Sequence, residues 1–391
     1  MVLKSIGVIG GGVMGAGIAQ TLLNAGYEVR FKELDQLLLD KSLKRVEKIF
    51  ESLRKKGMIS EVEAKDKMAS LAASTDYGIL AEADLVIEAV PERIEIKEQV
   101  LRETDRICNP AAIFASNTSS LSISELGSIT KRPSSVIGMH WFNPAHIMKL
   151  IEVVPGIETS QETIEAVLQL SKSLGKVPIQ VKECAGFLVN RLLGIYMNEA
   201  MYLVQEGLKA MTVDRAAESL GIPMGPLKLG DMVGWDTIYH ANRTLQEEYG
   251  SRFVLPALLE EVYKTNRWGM KVAKGFYQYR DGRTVEEEAE EGTLPSFLPD
   301  RLLYAMINEG IRCLDEKVAS REDVDRSLVI GAGMPKGPLQ WADEIGLDMI
   351  LHKLQEYKSA YGERFLPSPL LKRMVAAKRL GRKARIGFYD Y

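Results

Sequence analysis

Twelve consecutive residues in the second half of the chain, Gly225-Pro226-Leu227-Lys228-Leu229-Gly230-Asp231-Met232-Val233-Gly234-Trp235-Asp236, return as Gly337-Pro338-Leu339-Gln340-Trp341-Ala342-Asp343-Glu344-Ile345-Gly346-Leu347-Asp348. The same offset of 112 carries Tyr249-Gly250 onto Tyr361-Gly362, Arg252-Phe253 onto Arg364-Phe365 and Gly275-Phe276-Tyr277 onto Gly387-Phe388-Tyr389. Agreement at one spacing over so many positions marks a duplicated folding unit. Long amphipathic stretches, 188–208 and 241–263, take over where strand-like runs stop at about residue 186. The second half is therefore expected to be two tandem all-α domains, 186–280 and 295–391. Between them, 281–294 contains Glu286-Glu287-Glu288-Ala289-Glu290-Glu291, a like-charge block that repels itself and reads as a solvated acidic linker.

The first 185 residues follow a different rule. Short apolar runs (Ile6 to Ile9, Val29 to Phe31, Asp84 to Val90, Ala112 to Ala115, Val136 to Met139) alternate with polar helical stretches, the pattern of a parallel sheet covered by helices on both faces. A 391-residue chain is long enough for two or three such domains and a cleft. The formal net charge of -3 argues against a general nucleic-acid binder. No apolar run reaches the length of a membrane span. The first strand-like run begins close to Met1, which leaves no room for a leader, and three widely spaced cysteines (Cys108, Cys184, Cys313) suit neither a disulfide framework nor a metal site. A reducing cytoplasm is the expected location.

Gly10-Gly11-Gly12-Val13-Met14-Gly15 follows the first run and opens a helical stretch. In that place Gly10 permits the tight turn, Gly12 lets the backbone approach a pyrophosphate, and Gly15 lets helix and strand pack closely. Glu33, 18 residues beyond Gly15 at the end of the next strand, can hold both hydroxyls of an adenine ribose. Domain 1–185 thus reads as a Rossmann-type dinucleotide-binding domain. Glu33 would repel a ribose phosphate, which favours NAD over NADP.

Only four histidines are present, and one of them, His140, lies twelve residues before Glu152. A histidine held by a carboxylate is a standard proton acceptor near neutral pH. In an open sheet, ligands bind beyond the carboxyl ends of strands, where His140 and the cluster Ser116-Asn117-Thr118-Ser119-Ser120 both fall.

These residues carry a resemblance. Gly10 to Gly15, Ile87-Glu88-Ala89-Val90-Pro91-Glu92, Ser116 to Ser120, His140 to Pro144, Lys149 to Glu152, Gly186-Phe187-Leu188-Val189-Asn190-Arg191 and Gly225-Pro226-Leu227 resemble the ordered motifs of the L-3-hydroxyacyl-CoA dehydrogenases, most nearly the bacterial 3-hydroxybutyryl-CoA dehydrogenases, over residues 1 to about 280. The resemblance implies that His140 is the base, that Glu152 orients it, and that Ser119 and Asn190 contact the reacting substrate oxygen. It also implies that Glu92 and Lys97 contact the nicotinamide end of NAD, that Asn143 supports the histidine loop beside the cofactor, and that a helical insertion near 36–70 lies over the CoA. Ser42 and Lys48 are the CoA contacts it suggests, and no metal is implied.

The duplicated domain is similar to the tandem arrangement in multifunctional β-oxidation proteins. Aligning Val189 to Leu193 with Pro299 to Leu303 puts Asp300 in the place of Asn190, so the second copy lacks that contact. The implied activity is reversible oxidation of short-chain (S)-3-hydroxyacyl-CoA by NAD. A dehydrogenase of a non-CoA hydroxy acid and a non-catalytic nucleotide-binding protein are the alternatives. The repeats are expected to pack as an internal pseudo-dimer in a monomer or homodimer.

Overall fold

The computed structural model describes residues 3–285, 294–295 and 297–391, and the acidic run of the expected linker lies outside the described residues. The chain divides into two compact units, Met1–Cys184 and Ala185–Tyr391.

The first unit runs β1 (Ser5–Ile9), α1 (Val13–Asn24), β2 (Glu28–Lys32), α2 (Gln36–Lys55), α3 (Glu61–Ala69), β3 (Leu71–Ser74), β4 (Leu85–Glu88), α4 (Ile94–Ile107), β5 (Ile113–Ser116), α5 (Ile123–Ser128), β6 (Val136–Trp141), β7 (Leu150–Pro155), α6 (Gln161–Ser173) and β8 (Val177–Gln180). The strands form one sheet in the order β3-β2-β1-β4-β5-β6-β7-β8. β1 pairs with β2 on one side and β4 on the other, so the strand order reverses at β1. That reversal is where an open α/β sheet leaves its binding crevice. The core beneath it joins Ile6, Val8 and Phe31 of the sheet to Ile18 and Leu22 of α1 and Val46 of α2.

The five runs read as strands are parallel to one another, as expected, and the sheet continues beyond them. The sheet is not wholly parallel, because β7 runs antiparallel to β6. A parallel return needs a crossover of about a dozen residues or more, and the connection 142–149 has eight. The resulting register places His140 directly opposite Glu152.

The second unit contains α7 (Val189–Gln205), α8 (Ala210–Glu218), α9 (Pro226–Val233), α10 (Trp235–Tyr249), α11 (Ala257–Lys264), a hairpin of β9 (Tyr279–Arg280) and β10 (Arg283–Thr284), then α12 (Phe297–Asp315), α13 (Arg321–Gly331), α14 (Pro338–Ile345), α15 (Leu347–Tyr361) and α16 (Pro369–Ala376). The stretch 241–263 is two helices, not one: the chain leaves α10 through Gly250 at φ 58° and re-enters helix after Pro256. The first residues of the expected linker are ordered too. Asp281 and Gly282 both have positive φ and close the β9–β10 hairpin, as an Asp-Gly pair suits.

The repeated residues have repeated structural work. Asp231 accepts the backbone N–H groups of Phe276 and Tyr277, and Asp343 accepts those of Phe388 and Tyr389. Between the copies the bonds are exchanged. Arg191 of α7 pairs with Glu309 and Glu316 at 2.6 and 2.7 Å. Arg301, its counterpart on α12, pairs with Glu199 and Glu206 at 2.5 Å each. The guanidinium groups of Arg191 and Arg301 also lie over the corresponding rings of Tyr249 and Tyr361.

Candidate active site

The nucleotide loop is shaped by close packing. A side chain at Gly15 would bring Cβ to 1.7 Å from the Gly10 carbonyl oxygen, whereas nothing lies within 4 Å of the corresponding position at Gly12. The bare face at Gly12 caps α1, so an approaching anion meets the positive end of that helix. Gly11, which the motif argument left out, is equally constrained, since its Cβ would fall 2.1 Å from Ser42 Oγ. Its N–H donates to Glu33 Oε1 at 2.5 Å, and Leu34 N–H donates to Oε2 at 2.8 Å. Glu33 is thereby fixed beside the loop.

A cavity of about 590 Å³ opens here, lined by the loop, Glu33, Leu34, Arg45, Tyr77, Val90, Ile96 and Val100. Lys32 also lines it, 3.9 Å above the Tyr77 ring, and burial pulls its pKa down against the opposing field of Glu33. The bare backbone at Gly12, the acid at Glu33 and the apolar walls fit an adenosine with its pyrophosphate.

Ser42 requires a correction. It is fully buried, and its hydroxyl donates to the Gly11 carbonyl at 2.9 Å. It holds the nucleotide loop to α2 and is closed off from an overlying CoA. Arg45 donates to the same carbonyl at 3.1 Å, while Lys48 stays exposed on α2.

Across β6 and β7, His140 Nδ1 and Glu152 Oε2 are 2.6 Å apart, and Glu152 is completely buried. A carboxylate on Nδ1 selects the tautomer with the proton on that nitrogen, so Nε2 carries the lone pair. The Phe142 ring packs 4.5 Å from the imidazole. Trp141 N–H donates to Asn117 Oδ1 at 2.9 Å, which ties the end of β6 to the loop that bears Ser119 two residues later. Ser119 and His140 are thus brought to the carboxyl ends of the neighbouring parallel strands β5 and β6.

A buried charge cluster supports that loop. Lys97 donates to both oxygens of Glu88 at 2.8 and 2.9 Å and lies 3.3 Å from Glu92. Ser116 donates to Glu88 at 2.7 Å. Glu92 Oε1 accepts from Thr118 Oγ1 at 2.6 Å and from the N–H groups of Ser119 and Ser120 at 2.8 and 3.2 Å. Burial pushes the Glu92 carboxyl up, but Lys97 and these donors outweigh it and hold it below the ordinary range. Lys97 itself is 1% exposed, so it is closed off from the direct cofactor contact that the resemblance implied. Glu88, Ser116 and Asn117 lie within motifs quoted from the sequence but were given no role of their own there. A charged residue closing the apolar run Leu85-Val86-Ile87 was the available signal.

Asn143 is exposed on the 142–149 loop, and Asn190 is a half-buried residue of the first turn of α7 in the second unit. Among the described residues no group of acids, histidines and cysteines is arranged to hold a metal. The first unit can therefore bind a dinucleotide and move a proton.

Comparison with known proteins agrees on the dinucleotide-binding unit. Residues 5–184 match the NAD binding domain of 3-hydroxyacyl-CoA dehydrogenase. Residues 186–279 and 297–391 match the C-terminal domain of the same family. The chain is 38% identical over 386 residues to the fatty acid oxidation complex subunit alpha of Shewanella amazonensis, covering 94% of this chain and 55% of that protein. It thus spans about half the length of the curated relatives it matches. The structure of a 3-hydroxybutyryl-CoA dehydrogenase from Escherichia coli K12 superposes with a TM-score of 0.91 at 26% identity, covering 96% of this chain and 99% of that one. That of (S)-3-hydroxybutyryl-CoA dehydrogenase from Ralstonia eutropha gives 0.70 at 36% identity, over 72% of this chain and 100% of that one. With the first unit matched over 5–184, the second over 186–279 and 297–391, and the nucleotide loop in its expected place, the chain belongs to the 3-hydroxyacyl-CoA dehydrogenase family.

Proposed function

We propose that the protein interconverts (S)-3-hydroxyacyl-CoA and 3-ketoacyl-CoA with NAD, favouring short chains such as 3-hydroxybutyryl-CoA and acetoacetyl-CoA. The observation that carries this reading is the buried His140–Glu152 pair opposite one another in β6 and β7, beside the Ser119 loop. Bound NAD supplies the acceptor for the hydride leaving C3. His140 Nε2 takes the hydroxyl proton in the same oxidation, and Glu152 balances the charge the ring acquires. Ser119 is the proposed hydrogen-bond donor to the developing carbonyl oxygen, and the family resemblance adds Asn190. Glu33 is the proposed ribose ligand, Glu92 the proposed neighbour of the nicotinamide end, Asn143 the proposed support of the histidine loop beside the cofactor, and Lys48 remains the proposed CoA contact on α2.

The exchanged Arg–Glu pairs support a second copy that acts as a built-in partner for the first, an internal pseudo-dimer with one catalytic set. A cytoplasmic location is proposed from the cysteine content. The likeness to 3-hydroxybutyryl-CoA dehydrogenases of Escherichia coli and Ralstonia eutropha supports the C4 preference.

The test is reduction of acetoacetyl-CoA by NADH and NADPH, beside longer 3-ketoacyl-CoAs and free acetoacetate. Thioester turnover with NADH is expected. Turnover of free acetoacetate alone would favour a non-CoA substrate, and none with any substrate would overturn the enzyme reading. His140→Ala is expected to lower turnover by about 10²- to 10⁴-fold with NAD binding retained.

A further inference from the structure

The loop 142–149 leaves the base strand one residue after His140-Trp141 and is gripped from two sides. On one side, Lys176, just before β8, donates to the carbonyls of Ala145 and Met148 at 2.6 and 2.7 Å. Its ammonium also lies 5.4 Å from the Trp141 ring centre, and the side chain is buried. On the other side, Ala145 and His146 sit against α1 at Gly17. A Cβ there would come to 3.2 Å from Ala145 Cβ and 3.4 Å from His146 N, tight enough that the loop would have to give by a few tenths of an ångström. The loop is therefore seated directly on α1, the helix that the nucleotide loop caps at Gly12.

Lys176 is an expensive way to fill such a place. Burial depresses its pKa to about 8, and the neighbouring charge of Lys149 has the same sign and adds to the shift. Burying an ammonium against carbonyl groups costs stability that an apolar side chain would not. What it gives in return is direction: two charge-assisted bonds fix two carbonyls three residues apart.

We propose that Lys176 is a positioning residue, which with the bare face of Gly17 clamps the 142–149 loop and so sets the placement of Phe142 and Asn143 between the base and the cofactor helix. The proposal rests on His140 being the base. A shift of about 1 Å in such a contact can cost about 10²-fold in rate.

Two perturbations separate positioning from folding. Gly17→Ala adds about 1 kcal/mol of helix propensity to α1, which offsets the crowding against the loop, so its melting temperature should stay within about 5 °C of the native chain's. The pushed loop should nevertheless lower kcat about tenfold, with the dissociation constant for NAD and the KM for acetoacetyl-CoA within about twofold. Lys176→Met should lower kcat about 10- to 100-fold and Lys176→Arg should recover part of it. The acid limb of the kcat/KM profile for hydroxyacyl-CoA oxidation should keep its midpoint in all three, since the His140–Glu152 pair is untouched. If Lys176→Met does not fold, Gly17→Ala and Lys176→Arg still decide.

His140→Ala in the same assay keeps the two claims apart. Full turnover in His140→Ala overturns the base assignment and the clamp with it. Loss in His140→Ala with native kcat in both Gly17→Ala and Lys176→Met overturns the clamp alone.

Discussion

One asparagine occurs at equivalent places in the two copies and should respond to the same substitution with opposite sign. Asn198 on α7 and Asn308 on α12 each precede the glutamate of the exchanged ion pairs, and both are 2% exposed. Asn308 donates to the Leu366 carbonyl and accepts from Ser368 N–H, both at 2.9 Å. Asn198 has no partner for either polar atom among the described residues. The cause is legible in the chain: the residue corresponding to Ser368 is Pro256, which has no N–H to give. Replacing asparagine by alanine within a helix gains about 0.6 kcal/mol of propensity and loses a similar amount to the small cavity. These common contributions cancel. At Asn308 two hydrogen bonds vanish and two backbone groups are stranded, a destabilisation of about 2–3 kcal/mol. At Asn198 two unpaired buried groups disappear, a stabilisation of about 1 kcal/mol. The gap of about 3–4 kcal/mol corresponds to roughly 10 °C in melting temperature for a unit of this size. Scanning calorimetry of Asn198→Ala and Asn308→Ala in the full chain measures it. Equal losses in the two variants would refute the reasoning, because Asn198 would then be as well satisfied as Asn308.

Other outcomes are expected from the first unit and from Asp214 and Asp325 of the second, which accept the N–H groups of Leu227 and Leu339 at the starts of α9 and α14. Glu152→Gln removes the charge beside His140 while keeping the shape, and kcat should fall by about 10²- to 10⁴-fold with KM little changed; a variant near native turnover would show that Glu152 is dispensable. Glu33→Ala should weaken NAD and improve NADP relative to it, measured as the ratio of kcat/KM values; an unchanged ratio would remove Glu33 from the ribose. Burial raises the Asp214 and Asp325 carboxyls to about 6 from an ordinary 3.8, against the pull of Tyr277 and Tyr389 hydroxyls respectively. The native chain then holds those protons more tightly than the unfolded chain. Their contribution to stability is full below about pH 4 and is lost as pH rises through about 6. Native chain minus Asp214→Asn/Asp325→Asn, compared by denaturant titration, should show that loss, and a difference independent of pH would refute it.

How much of this was readable beforehand depended on whether the signal was local. The nucleotide loop needed only neighbours in sequence, and the strand β1, its glycines and the helix α1 follow one another without a break. The pairing of His140 with Glu152 needed topology as well. In a hairpin, residues equidistant from the centre face each other, and these two lie six residues on either side of His146. The spacing was therefore informative only once β7 was known to run antiparallel. Ser42 was misjudged from the basic face of α2, although its spacing to Leu39, Val46 and Phe50 belongs to the buried stripe of that helix. Lys97 shares the inner face of α4 with Val100, Leu101 and Thr104, and a lysine on such a face calls for a buried carboxylate that the sequence could not locate. The break between α10 and α11 was marked by Gly250 and Pro256, which interrupt an otherwise continuous helical pattern.

The duplication also separates scaffold from chemistry. Positions that recur, such as Asp231 and Asp343 or Gly225 and Gly337, hold each copy together: the carboxylates receive backbone N–H groups, and a Cβ at either glycine would fall 2.2 Å from the neighbouring Asp214 or Asp325 side chain. Positions that differ, Asn190 against Asp300 above all, need not serve the shared fold. Arg191 and Arg301 form a third kind, because each is satisfied by the other copy. Removing one partner of such a buried pair strands a charge and typically costs about 3–5 kcal/mol, whereas the intact pair adds little over apolar packing. The pairs therefore do more to enforce one mutual register than to add stability. Covalent linkage fixes the effective concentration of the second copy, so that register does not depend on finding another chain. A second copy held in this way need not carry the proposed substrate contact Asn190 to serve as scaffold, which fits a repeat that keeps its salt bridges and glycines but has Asp300 at that place.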